Sequence, residues 1–147
     1  MNSENYNDLC YVCALSEFIG RKTRNHRSYV VEKLGIDGIE RQLKDAGVNH
    51  CLSFEQVSDE ITERYGLESG DFDTVTACRY SVPDPVDIGK LYATIIKVKE
   101  EDGKEAESVK KVFSSFISDL ISDFNSDLYY QNPSYIEESY VAGELLD

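Results

Sequence analysis

Four residues in the first third of the chain have side chains that metals and redox couples use. Cys10 and Cys13 bracket Tyr11 and Val12 in a Cys-x-x-Cys spacing, and His50-Cys51 adds a second pair of the kinds of ligand that zinc takes. Zinc sites put such a spacing on a tight turn, usually with Gly, and the redox version follows a strand and commonly carries Pro or Gly between the thiols. Here the pair falls inside a helical apolar pattern. The cysteines, Cys78 included, therefore read as buried, inert side chains that behave as small hydrophobes. His26 and His50 are the only histidines, and neither assembles with a nucleophile and an orienting acid; His50 and Cys51 are adjacent, and adjacent side chains generally point in different directions. Gly-x-Ser-x-Gly, a phosphate-binding glycine loop, His-Glu-x-x-His and a paired-aspartate calcium loop are absent. The expectation is a protein that is not an enzyme and holds neither metal nor cofactor. A zinc- or thiol-dependent enzyme is the alternative built on these residues.

Two clusters have the composition of contact surfaces. Arg21, Lys22, Arg24 and Arg27 surround an expected turn and are candidate anion contacts, for a phosphate or for nucleic acid held across a helix-turn-helix-like arrangement. The competing reading is a solvated corner that pairs with acidic groups of the same chain or of a partner. At the other end Tyr129, Tyr130, Tyr135 and Tyr140 crowd together with Glu137 and Glu138. An apolar ring with a polar tip is what protein interfaces collect, so these six residues are the candidate partner-binding set. Ordinary core packing of Tyr135 and Ile136 competes with that reading.

Charge favours the second cluster. Residues 1–50 hold seven basic and seven acidic side chains, whereas residues 51–147 hold eight against twenty-one, which accounts for the whole net charge of −13. Such a surface repels polyanions, because binding to nucleic acid or an anionic membrane relies on cations neutralising phosphates. A basic protein partner or plain solubility fits better. No apolar run approaches the roughly 20 residues that span a bilayer, and the opening Met1-Asn2-Ser3-Glu4-Asn5 lacks the basic and apolar regions of a signal peptide. A cytoplasmic protein with reduced thiols is expected.

The elements that must position these residues are helical. With 147 residues the chain is long enough for one domain with a real core, 1–147, and the polar, Gly-containing stretch 68–73 is the place for a subdomain boundary. Asn5 or Asn7 caps a first helix to about Ile19, ended by Gly20; Asn25 caps a short helix closed by Gly35; Asp37 caps another that ends at Gly47. Ser53 and Gln56 form a capping box, with Leu52 and Val57 at hydrophobic-staple positions and Gly66 as the stop. Residues 74–82 alternate and are β-branched, as in one short extended segment. Asp84 and Pro85 open a helix through Ile88, Leu91, Tyr92, Ile95 and Val98, and a charged stretch after Lys99 separates it from the longest amphipathic pattern of the chain, Lys104–Phe124. Asn132 and Pro133 open the last helix, which stops at Gly143. The fold expected is mainly α: an irregular bundle of six or seven helices around one long helix, taken to be 104–124.

Three strings carry a resemblance: Cys10-Tyr11-Val12-Cys13-Ala14-Leu15-Ser16-Glu17-Phe18-Ile19, Asp87-Ile88-Gly89-Lys90-Leu91-Tyr92 after a proline, and the run from Asp123 to Ile136. Together they resemble small uncharacterised proteins of gut Firmicutes, some of them encoded beside predicted ADP-ribosyltransferase-like toxins. The resemblance brings no catalytic residues with it and implies a partner-binding or antitoxin-like role. The expected function is thus a non-enzymatic, acidic protein-binding module, antitoxin-like or an inhibitor of a protein partner. A nucleic-acid-associated regulator that uses residues 21–27 is the alternative from another class.

Overall fold

Leu9, Val12, Cys13, Leu15 and Ile19 recur at helical spacing, and the helix that carries them, α1 (Ser3–Thr23), is the one the others are arranged around. The computed structural model describes residues 3–98, 103–126 and 128–146, with the backbone alone at 3–5 and 98. After α1 come α2 (Arg27–Asn49), α3 (Phe54–Tyr65), α4 (Pro85–Val98), α5 (Glu105–Phe113), α6 (Phe116–Ser122), a 3-10 turn (Leu128–Tyr130) and α7 (Pro133–Ala142). Among the described residues there is no strand, and no helix is long and apolar enough to cross a membrane. The architecture is a mainly α multi-helix bundle.

From Leu9 to Gly20 nearly every position of α1 is buried, so this helix is apolar on most sides and is covered by α4, α2 and α3. Each fully buried Leu or Ile in it contributes about 1.5–3 kcal/mol relative to exposure. The contact with α4 is the closest. A Cβ at Gly89 would stand 2.6 Å from the backbone nitrogen of Ala14, so the two helices approach as they do only because residue 89 has no side chain. The core then continues through Val109, Val112, Phe113, Ile117, Ile121 and Phe124 to Ile136 of α7 as one cluster of buried residues, which draws on segments from both sides of 68–73.

Several elements differ from expectation, each for a visible reason. Residues 104–124 are two helices rather than one long one, and the long central helix is α1. The break falls at Ser114-Ser115: Ser115 takes an extended conformation (φ −85°, ψ 171°) and its hydroxyl donates to the Val112 carbonyl at 2.6 Å, the local bonding by which serine competes with helix propagation. α1 continues past Gly20 to Thr23. α2 contains both of the short helices expected there, joined across a kink at Gly35 (φ 67°, ψ 174°). Asn25 does not cap it; its amide donates to Thr23 Oγ1 and to the Glu68 carbonyl instead. Residues 74–82 are turns and bends, organised by Asp73, whose carboxylate accepts from the Val75 and Thr76 backbone and from the Thr76 hydroxyl. The cap of α3 is as expected, with Ser53 and Gln56 bonded reciprocally and Gly66 left-handed, and Asn132 with Pro133 starts α7. Of the charged stretch after Lys99, residues 99–102 lie outside the described residues.

Candidate functional site

The thiols do not converge. Cys13 is wholly buried in α1, and burial, with the Cys10 thiol nearby, pushes its pKa well up; Cys10 is half-buried and is raised for the same reason. Both shifts oppose the thiolate that nucleophilic or metal chemistry needs. Cys51 departs from the buried reading: it is exposed, in the turn between α2 and α3. Among the described residues no group of three or more His, Cys, Asp or Glu side chains is placed to hold a metal ion.

The basic corner is largely turned inward. Arg27 is fully buried and grips Glu17, also fully buried, through Nε to Oε1 at 2.9 Å and Nη2 to Oε2 at 2.8 Å. Its remaining donors reach the Asn25 carbonyl at 3.0 Å and Thr74 Oγ1 at 2.9 Å. Arg21, one helical turn from Glu17, donates from Nε to Oε2 at 2.6 Å and sets its guanidinium over the Phe124 ring, 4.9 Å from the centroid. Gly20 makes room for this: a Cβ there would meet Arg27 Cδ at 2.4 Å. The glycine that reads as a helix stop is space for a buried arginine. Lys22 bonds Glu55 and Asp59, which hold its pKa up, and these two carboxylates belong to the acidic second part of the chain. Arg24 is exposed, with φ at 58°. As anion contacts the four sites reduce to Arg24, with Lys22 already shared between two acids.

The terminal tyrosines separate into anchored and free. Tyr135 donates its hydroxyl to the Leu146 carbonyl at 2.7 Å and, like Tyr140, is half-buried against the core. Tyr140 lines a small cleft with Ile96 and Val112. Tyr130 is 65 % exposed, edge-on to Tyr129 with ring centroids 5.1 Å apart. Burial raises the Tyr129 pKa, and the charges of Asp87, Tyr130 and Asp84 add to that shift. Glu138 is exposed on α7 and Glu137 half so. The exposed members of the predicted set are thus Tyr130 and Glu138, with Tyr129 and Glu137 half-buried; Asp84 and Asp87, whose charges act on Tyr129, escape sequence reasoning because they lie more than forty positions from the tyrosines.

A cleft of about 750 Å³ opens between the N-terminal half of α1, the end of α2, the start of α3 and the start of α4. Tyr11, Phe54, Leu52, Val86, Ala14 and Cys10 form its apolar lining. Its rings are in contact: Tyr11 lies 4.5 Å from His50 and 5.6 Å from Phe54 by centroids. Leu52, at a staple position by sequence, is 42 % exposed at the rim, and Val86 is 41 % exposed opposite it. Four segments contribute, so no single stretch of the sequence signals it.

No family model matches the chain, and no curated protein or solved structure matches it.

Proposed function

We propose that this chain is a non-enzymatic protein-binding module whose acidic second part covers a basic protein partner, in an antitoxin-like or inhibitory manner. The observation that carries the proposal is an exposed aromatic ring in the acidic second part of the chain. Tyr130 stands 65 % exposed beside Tyr129, with the Asp84 and Asp87 carboxylates acting on that ring. Large amphipathic rings next to carboxylates provide both the contact area and the sign of charge that a basic surface requires. The upward shift of the Cys10 and Cys13 thiols supports binding over thiol chemistry. The pairing of Arg21, Arg27 and Lys22 inside the chain weighs against a nucleic-acid role.

The test uses affinity capture from the native host with the wild-type chain, with Glu137→Lys/Glu138→Lys and with Tyr130→Ala. A basic protein retained by the wild type and lost by the variants is the expected result. With that partner purified, the double lysine variant should associate roughly tenfold more slowly at low salt, and the difference should shrink as salt rises. Equal association at every ionic strength would remove this surface from consideration.

A further inference from the structure

The cleft between α1, α3 and α4 is remote in kind from the acidic patch, and its lining has a definite chemistry. Three of its lining rings are in contact, His50 to Tyr11 at 4.5 Å and Tyr11 to Phe54 at 5.6 Å, and Phe18, 5.5 Å from Phe54, backs them outside the cleft. Of the residues that line the cleft, Asp8 supplies the one carboxyl group, with Asn7 and Ser53 as neutral hydrogen-bonding groups. Asp8 forms no ion pair among the described residues. Lys90 on α4 is close enough to act on the Cys10 thiol but does not line the space, and Lys44 borders Asp8 on the side of a separate, smaller cleft.

Size selects among occupants. A space of 750 Å³ falls inside the range of roughly 300–1,000 Å³ that holds a whole small molecule, and one arginine or lysine side chain would leave most of it empty. Charge selects the sign: a carboxylate with no ion pair among the described residues, at the edge of an aromatic and apolar lining in a molecule of net charge −13, favours a cation and disfavours an anion. We infer that this cleft is a binding site for a small aromatic cation, a planar amine-bearing molecule that packs against Phe54 and the exposed rim residues Leu52 and Val86 and sets its cationic group at Asp8. The inference does not depend on the protein-binding role, because it uses neither the tyrosine patch nor its acids.

The test titrates the intact chain with two dyes of similar size and opposite charge, proflavine as the aromatic cation and anilinonaphthalene sulfonate as the anion, by fluorescence and by equilibrium dialysis at 0.15 M salt. Proflavine should bind at one site at least tenfold more tightly than the anion. Asp8→Asn should weaken proflavine about tenfold, and Val86→Glu or Leu52→Glu at the exposed rim should alter it, while Glu137→Lys/Glu138→Lys should leave it unchanged. Far-UV circular dichroism checks that each variant is folded, and because all of these positions except Asp8 and Glu137 are exposed, folding is retained. Three results overturn the inference: equal binding of both dyes, binding of neither below a millimolar, or proflavine binding that ignores Asp8 and the rim and follows the acidic patch instead.

Discussion

The buried pair of Glu17 and Arg27 sets up the most demanding prediction. Both side chains are fully buried, and the Glu17 carboxylate accepts three guanidinium hydrogen bonds, two from Arg27 and one from Arg21. Removing Glu17 leaves the buried Arg27 charge uncompensated, and removing Arg27 strips the Glu17 carboxylate of two of its three hydrogen bonds and leaves it Arg21 alone, each at a cost of about 3–5 kcal/mol, whereas replacing both with apolar groups of similar volume is often neutral. Against a typical total of about 5–15 kcal/mol for a domain, Glu17→Leu or Arg27→Met alone should come close to unfolding it. The double variant Glu17→Leu/Arg27→Met should return to within about 1 kcal/mol of the wild type, with Arg21 free to turn outward from its 12 % exposed position. Urea unfolding followed by far-UV circular dichroism, with tyrosine fluorescence as the second probe since the chain has no Trp, gives the three midpoints. With a slope near 2 kcal/mol per molar, each single change should lower the midpoint by roughly 1.5–2.5 M. Single costs under about 1 kcal/mol, or a double variant that equals the sum of the singles, would refute the argument that the pair matters through mutual compensation.

Two further outcomes follow from the packing. Gly89→Ala places a methyl 2.6 Å from the Ala14 nitrogen and 2.7 Å from its Cα, which are backbone atoms that cannot turn aside, so α1 and α4 must separate; a loss of about 1–3 kcal/mol in urea unfolding is expected. Burial holds the Tyr92 phenol far above its ordinary value, with the Glu17 charge adding to the effect, and the hydroxyl donates to Ser118 Oγ at 3.0 Å. A raised folded pKa means that its stabilisation is complete below about pH 10, where the unfolded tyrosine begins to ionise, and is lost as pH rises beyond it, by up to about 1.4 kcal/mol per pH unit. Unfolding measured from pH 8 to 11.5 should show that decline, and Tyr92→Phe should make it shallower.

What could be read from the sequence was what local chemistry decides. Ser53 with Gln56, Asp84 with Pro85, and Asn132 with Pro133 each fix a helix start through bonds that span two to four residues, and all three starts are where those residues put them. The apolar stripe of 104–124 marks Val109, Val112, Phe113, Ile117, Ile121 and Phe124, which are core, but it also takes in Leu120, which is half-buried, and Phe116, which the break leaves exposed. It does not reveal that Ser114-Ser115 interrupts the backbone, because periodicity tracks side-chain direction through a break that nearly preserves it. Gly20 and Asn25 were misleading for another reason. Each has a strong local preference, as a stop and as a cap, and each instead serves a distant partner, Arg27 packed against the glycine and Glu68 bonded by the asparagine. The cleft and the Asp84, Asp87, Tyr129 grouping depend wholly on which helices meet, which no stretch of residues encodes by itself.

The inward turn of the basic corner also changes what an approaching partner meets. Arg21, Arg27 and Glu17 together carry one positive charge into or near the interior, so the remainder of the molecule is more acidic than its formal −13. Lys22 is divided between Glu55 and Asp59, and Arg24 makes no ion pair among the described residues. At physiological salt the field of one exposed arginine is screened within about 8 Å, too short a reach to gather a polyanion against the surrounding acids. On the proposed reading a basic protein would meet the opposite situation at Tyr130, exposed beside Tyr129, on which the Asp87 and Asp84 charges act with no ion pair to either carboxylate among the described residues. Arg27 thus ties α1, α2 and the loop before α4 together, and with Arg21 and Lys22 also paired within the chain the basic corner offsets little of the acidic excess of the second part.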